Sequence, residues 1–175
     1  MAGARDLDEV ESAAWRAIVV FWRLGFPRLE RTFRRVGLNH LDYGFLAVLS
    51  EQPDGTLPAG ELADLAGISS SRLSHRLKHL EAAGDITRQP DQYDGRGILV
   101  AVTDQGRDKL ATIYDQHLAD VRRLVFDHLT EDQTRALRDA MMAITSPLTP
   151  HPFLHRPAAA GTTPDVHRPA ATRGR

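Results

Sequence analysis

Residues 58–103 read PAGELADLAGISSSRLSHRLKHLEAAGDITRQPDQYDGRGILVAVT. Leu62, Ala63 and Ala66 recur at helical spacing and the pattern stops at Gly67, which predicts one short helix. Ser69 then offers a hydroxyl to cap a second helix, whose Leu73, Leu77 and Leu80 fall on one face. Two helices joined by about three or four residues, one of them glycine, form a helix-turn-helix. Behind it Ile86 to Arg88 and Ile98 to Val102 read as strands, and the Gly-rich segment between them can turn a hairpin. Such a hairpin is a wing.

The faces of the second helix point to its partner. At about 100° per residue the three leucines occupy a narrow arc that must face the core. Ser71, His75, Lys78 and His79 point away from it, and Arg72, Ser74 and Arg76 flank it. From Ser69 to Leu80 the cations are Arg72, Arg76 and Lys78, with no Asp or Glu, in a chain of formal net charge -1. A basic, hydroxyl-rich helix face in a near-neutral protein suits duplex DNA, with cations for phosphate and short donors and Arg for base edges. A solvated helix surface has the same composition, and it is the adjoining helix and wing that favour DNA.

The run from Gly37 to Gly106 also resembles the MarR (multiple antibiotic resistance regulator) family of winged-helix transcription factors. The matching pieces are GLNHLDYGFLAVL, ELADLAGISSSRLSHRLKHLEAAGDITRQ, the wing Asp94-Gly95-Arg96 and LVAVTDQGRDKL. That family's wing signature is an Asp-x-Arg in the loop, then a strand and a Thr-x-x-Gly helix start, supplied here by Asp94, Arg96, Thr103 and Gly106. With flanking helices the resemblance covers residues 8 to 145. It implies a mainly α fold with a small β wing, a winged helix-turn-helix carrying N- and C-terminal dimerisation helices.

On the amino-terminal side, Asp8 to Val36 is helical in pattern, but from Ala13 to Phe26 apolar residues appear nearly all round. A helix apolar on more than one face has more than one apolar neighbour, and in a chain this small the second is expected to be another subunit. Pro27 lacks a backbone donor and crowds the carbonyl of Arg23, so a kink or short break is expected near Gly25 and Pro27. Leu38 to Glu51 forms the next helix, with Asn39 as N-cap and Asp42 where a carboxylate suits the dipole. Tyr43, Leu46, Ala47 and Leu49 are its expected buried side. Thr56 and Leu57 are placed as a short third strand by the resemblance.

On the carboxy-terminal side, Thr103 caps a long helix expected to run to about His128, with an apolar stripe from Leu110 through Ile113, Tyr114, His117, Val121 and Leu124. Thr130 to Gln133 is a capping box opening a last helix marked by Leu137, Ala140, Met141 and Ile144. Neither helix has an obvious cover within the winged module, so both terminal segments are expected to pair in a homodimer, an arrangement the resemblance also implies; a monomeric helical cap is the alternative. The expected units are a dimerisation helix (1–37), a winged helix-turn-helix module for DNA (38–103), paired dimerisation helices (104–145) and a tail (146–175).

That tail holds six of the ten prolines, at 147, 150, 152, 157, 164 and 169, and repeats His-Arg-Pro-Ala-Ala at 155 and 167. Such composition builds no core, and the segment is expected to be disordered; its four Arg against one Asp would add unspecific attraction to DNA. The whole chain of 175 residues suffices for one domain with a sizeable core. It contains no Cys, which removes disulfides, thiolate metal ligands and cysteine oxidation as chemistry. The first residues lack a basic end followed by an apolar run, and no stretch approaches the roughly 18 apolar residues of a membrane span. A cytoplasmic protein is expected.

These readings converge on a sequence-specific, double-stranded-DNA-binding regulator, acting as a homodimeric repressor on a palindromic operator. Ser71, Arg72 and His75 are assigned to base edges, with Ser70, Ser74, Lys78 and His79 towards phosphate. Arg96 is assigned to the minor groove, Asp94 to holding the wing loop, and Arg88 to a phosphate. Arg76 is read as structural, its guanidinium lying over the edge of the leucine stripe. The resemblance further implies release by a small aromatic or phenolic effector, with Trp15, Trp22, Arg23, His40 and Tyr43 as candidate lining; the same aromatics also suit core or subunit interface. No phosphate loop, G-x-S-x-G or comparable catalytic motif occurs, so no enzyme and no cofactor is expected. No resident metal site is predicted either, since His117 and His128 are about three turns apart. The rival classes are a metal-responsive regulator using His40, His117 or His128 between subunits, and a winged helix used for protein assembly, which would carry an acidic or apolar recognition face.

Overall fold

The computed structural model describes residues 5–91 and 97–148. Asp8 opens α1 (Glu9–Leu24) with a capping box closed by Glu11. The expected break follows: Gly25 ends α1, and α2 (Phe26–Arg34) restarts with Pro27 in its first positions, where a missing N–H costs nothing. Next comes α3 (His40–Ser50), opened by a reciprocal capping box between Asn39 and Asp42. The rest of the module is β1 (Thr56–Pro58), α4 (Ala59–Ala66), α5 (Ser70–Ala82), β2 (Ile86–Pro90) and β3 (Ile98–Val102). Two carboxy-terminal helices follow, α6 (Asp104–Leu124) and α7 (Glu131–Thr145).

The three strands form one antiparallel sheet in the order β1-β3-β2, so the weakly signalled third strand exists. Val100 sits in the central strand opposite both Leu57 and Arg88, fully buried. Around it Leu46, Leu49, Leu62, Leu73, Leu77, Leu80 and Ile86 join with Leu110 and Ile113 of α6 in one core. In α3 the buried residues are Asp42, Phe45, Leu46, Leu49 and Ser50. Tyr43 and Ala47, expected inside, are only partly buried, Tyr43 packing against the edge of the core, while Phe45 is buried.

The far end of the long carboxy-terminal helix differs from expectation. The helix from Thr103 stops at Leu124; Val125 leaves helical geometry at φ -128° and ψ -69°, and Phe126–His128 forms a 3₁₀ turn. Apolar spacing continues through Leu124 to His128, so periodicity carried the prediction past a backbone change it cannot register.

The terminal helices bury little. α1 and α7 contain no buried residue, and α1 leaves Trp15, Ile18, Val20, Phe21, Trp22 and Leu24 in solvent. Among the described residues no helix is long and apolar enough to cross a membrane. The tail expectation falls on residues 146–175, of which 149–175 lie outside the described residues.

Candidate nucleic-acid interface

The turn ahead of α5 is made by Gly67, whose φ of 60° and ψ of 34° place it in the left-handed region that closes α4. Ile68 N–H reaches back to the Ala63 carbonyl at 3.1 Å. Ser69 then caps α5, its hydroxyl accepting from the Arg72 N–H. With Leu73, Leu77 and Leu80 buried, the opposite face is set: Ser70, Ser71, Arg72, Ser74, His75, Lys78 and His79 are all exposed. Neither Arg72 nor Lys78 has a carboxylate partner among the described residues. The face therefore presents hydroxyl, imidazole and unpaired cationic groups together, as the sequence predicted.

Two ion pairs fix this helix in place. Arg76, half-buried beside the leucine stripe, forks onto Asp42 of α3: Nε donates to Oδ1 at 3.0 Å and Nη2 to Oδ2. Asp42 is 1% exposed and also accepts the Asn39 N–H. Arg76 thus serves the fold through the buried Asp42 carboxylate, where the sequence reading placed its guanidinium over the edge of the leucine stripe. At the other end Arg88 of β2 donates through Nε to Glu81 at 2.9 Å, and through Nη2 to the same oxygen. The Arg88 hydrogen bonds hold the Glu81 carboxyl below its ordinary range. Arg88, assigned to phosphate from the sequence, has its charge matched within the fold.

The wing is anchored to α6 by the residues of the Thr-x-x-Gly start. Thr103 Oγ1 accepts the Gly106 N–H at 3.1 Å and donates to the Gly84 carbonyl at 2.7 Å. A Cβ on Gly106 would collide with the Asp85 carbonyl, so the helix start can lie against the α5–β2 turn only with glycine there. Buried Asp85 takes Lys109 Nζ at 2.6 Å. Asp94 and Arg96, the predicted wing-tip residues, lie outside the described residues.

The predicted effector residues separate into two places. Tyr43 stacks on Phe33 at 4.3 Å and meets His117 at 4.8 Å, and His40 touches Phe33 and, edge-on, Phe26. Burial pushes the Tyr43 phenol up to about 12, with Tyr114 and Glu51 adding to it. Burial also pushes the His117 imidazole below its ordinary range; Asp120 opposes this and His40 reinforces it. His117 Nδ1 is buried without a hydrogen-bond partner among the described residues. Trp15 and Trp22 are instead 58% and 68% exposed on α1, with Arg23 exposed beside them, and among the described residues no aromatic contact joins them to this cluster. Sequence reasoning missed Phe26, Phe33 and His117 as its members, since only their packing brings them together. Among the described residues no group of three or more His, Asp or Glu is placed to hold a metal ion.

A model described as the MarR family matches residues 36–97. The structure superposes with a TM-score of 0.77 on Sco3205 of Streptomyces coelicolor, a MarR family transcriptional regulator solved in complex with DNA, at 34% identity over 83% of this chain and 91% of that one. AbsC of the same organism, also a MarR family transcriptional regulator, gives a TM-score of 0.77 at 31% identity over 83% and 98% of the two chains. The regulator PecS of Dickeya dadantii is 26% identical over 108 residues, 61% of this chain, and the match spans 64% of the length of that relative.

Proposed function

The chain belongs to the MarR family, and from that premise we propose that it is a homodimeric repressor that binds a palindromic operator in double-stranded DNA. As a family member it is a transcriptional regulator and not an enzyme. The observation that carries the proposal is the exposed face of α5, whose Arg72 and Lys78 have no counter-charge among the described residues while the leucine side is locked in the core. The DNA complex of Sco3205, similar over most of this chain, supports the same partner here.

In this reading the amino-terminal half of α5 enters the major groove, with Ser71, Arg72 and His75 at base edges and Ser70, Ser74, Lys78 and His79 at phosphates. Arg96 enters the neighbouring minor groove and Asp94 holds the loop, as assigned from the sequence. Arg88 has the smallest share, because reaching a phosphate means leaving Glu81. Two copies related by a twofold axis set the recognition helices about one DNA turn apart. The exposed apolar side chains of α1 and α7 are the surfaces that would join them.

An aromatic or phenolic effector remains part of the proposal. His40 and Tyr43 keep that role, together with Phe33 and His117, while Trp15, Trp22 and Arg23 fit the subunit interface better. To act, the effector must bind one spacing of the recognition helices better than the other.

The test is selection of bound sequences from a random duplex pool, in which a palindrome with half-sites one turn apart is expected. A pool without enrichment would return the protein-assembly reading to first place.

A further inference from the structure

Away from the recognition face a cleft of about 580 Å³ opens between α2 and α6. Arg28, Arg31 and Arg35 line one wall, at positions i, i+3 and i+7 and hence on one helix face. Arg123 and His128 stand on the other side. The single acidic lining residue, Asp120, is 6% exposed and already fully engaged. Its Oδ2 accepts from Thr32 Oγ1 at 2.6 Å, and its Oδ1 from Gln116 Nε2 at 3.1 Å and Arg123 Nη2 at 2.7 Å. Asp120 therefore answers Arg123 alone, and Arg28, Arg31 and Arg35 have no carboxylate partner among the described residues.

Three unpaired guanidinium groups in a concave site repel one another and focus positive potential into it. The helix dipole favours Arg31 and Arg35, in the last turn and at the C-cap of α2, but it does not account for Arg28, which lies in the first turn where an anion is favoured. A guanidinium fork matches carboxylate and phosphate oxygens in pairs. The volume falls within the roughly 300–1,000 Å³ of small-molecule sites. We propose that this cleft binds a small polyvalent oxyanion, bearing two or more carboxylate or phosphate groups, through Arg28, Arg31 and Arg35. Asp120 holds Arg123 at the opposite wall as a fixed fourth donor. The site shares no lining residue with α5 or with the His40 and Tyr43 cluster, so it stands independently of the DNA reading.

The experiment is isothermal titration of the full chain with citrate and with pyrophosphate at matched ionic strength. At least one should bind saturably, and which one does identifies the carboxylate or phosphate source. The exposed-residue variant Arg31→Gln/Arg35→Gln should weaken that binding about tenfold or more while keeping the unliganded melting temperature; Arg28→Gln alone serves if the double variant does not fold. Arg72→Ala/Lys78→Ala should bind the anion like wild type. Saturation by neither probe, full binding in the cleft variants, or loss in the α5 variant instead would each overturn the site.

Discussion

Arg76 of α5 and Asp42 of α3 form a forked ion pair whose carboxylate is 1% exposed and also serves the capping box of α3. One buried group thus sets both where α3 starts and how α5 is rotated. Removing Arg76 leaves that carboxylate buried without its cation, so Arg76→Ala should lower stability by about 3 kcal/mol. Asp42→Ala should cost a similar amount, and the double variant less than the sum, because the second change removes a group already stranded. Urea melts of the four proteins give the coupling directly; strict additivity would show that the pair does not fix the helix.

On the outer face Arg72 and Lys78 have no carboxylate partner among the described residues, and their loss should be read in binding and not in folding. Lys78→Ala should weaken all DNA sequences alike and flatten the salt dependence by about one unit per protomer. Arg72→Ala should cost about 1–3 kcal/mol and relax preference at one base pair. Arg96→Ala should cost about as much if the wing reads the minor groove, whereas Arg88→Ala, already paired with Glu81, should change affinity least. Mobility-shift titrations at several salt concentrations rank the four, and Arg88 heading that ranking would refute the proposed division of labour.

The caps and the turn were legible because their signals are local. Ser69, Asn39, Thr103 and Thr130 each sit at the helix start that their side-chain oxygen serves. Leu73, Leu77 and Leu80 fixed the buried arc of α5 and with it the outward face. What stayed hidden was pairing at a distance. Asp42 and Arg76 are 34 residues apart, Asp85 and Lys109 24, and neither separation has a period to betray it. Glu81 and Arg88 were hidden for a related reason: the turn between them folds strand onto helix, so a cation read as free is bonded. The arginine cleft required Thr32 on α2 to meet Asp120 on α6, a contact across 88 residues.

Two glycines should respond with opposite sign. Gly44 lies inside α3 with open space where a Cβ would point, so Gly44→Ala should stabilise by about 0.5–1 kcal/mol through lower chain entropy. Gly106→Ala would drive a methyl into the Asp85 carbonyl and against Val102, and should cost about 1–3 kcal/mol. Equal melting temperatures for the two variants would mean that α6 does not rest on the turn as tightly as the geometry states.

His117 should make the fold less stable in acid. Its imidazole is held below the ordinary value of 6.5 by burial first, with His40 adding and Asp120 opposing. Between that lowered value and 6.5 the unfolded chain binds a proton that the folded chain refuses, so stability falls as pH drops through this window. Above it both states are neutral and His117 contributes no pH dependence. The melting temperature lost between pH 7.5 and 5.5 should therefore be smaller in His117→Phe than in wild type; an equal loss would assign the effect to other groups.

The apolar face of α1 decides the quaternary question. Ile18 and Trp22 are 48% and 68% exposed one helical turn apart, on a helix that buries nothing of its own. A patch of this kind carries a transfer cost to water of about 25 cal/mol per Å² that a second copy would remove. Ile18→Glu places a charge at its centre, where pairing would strand the carboxylate in an apolar interface. Light scattering should report two chains for wild type and one for the variant, with the helix content of the monomer unchanged because nothing in its core is touched. Operator affinity should fall in the same variant although no DNA-facing residue differs, since two half-sites are then read by separate molecules. A monomeric wild type, or a variant that still dimerises, would move the interface elsewhere.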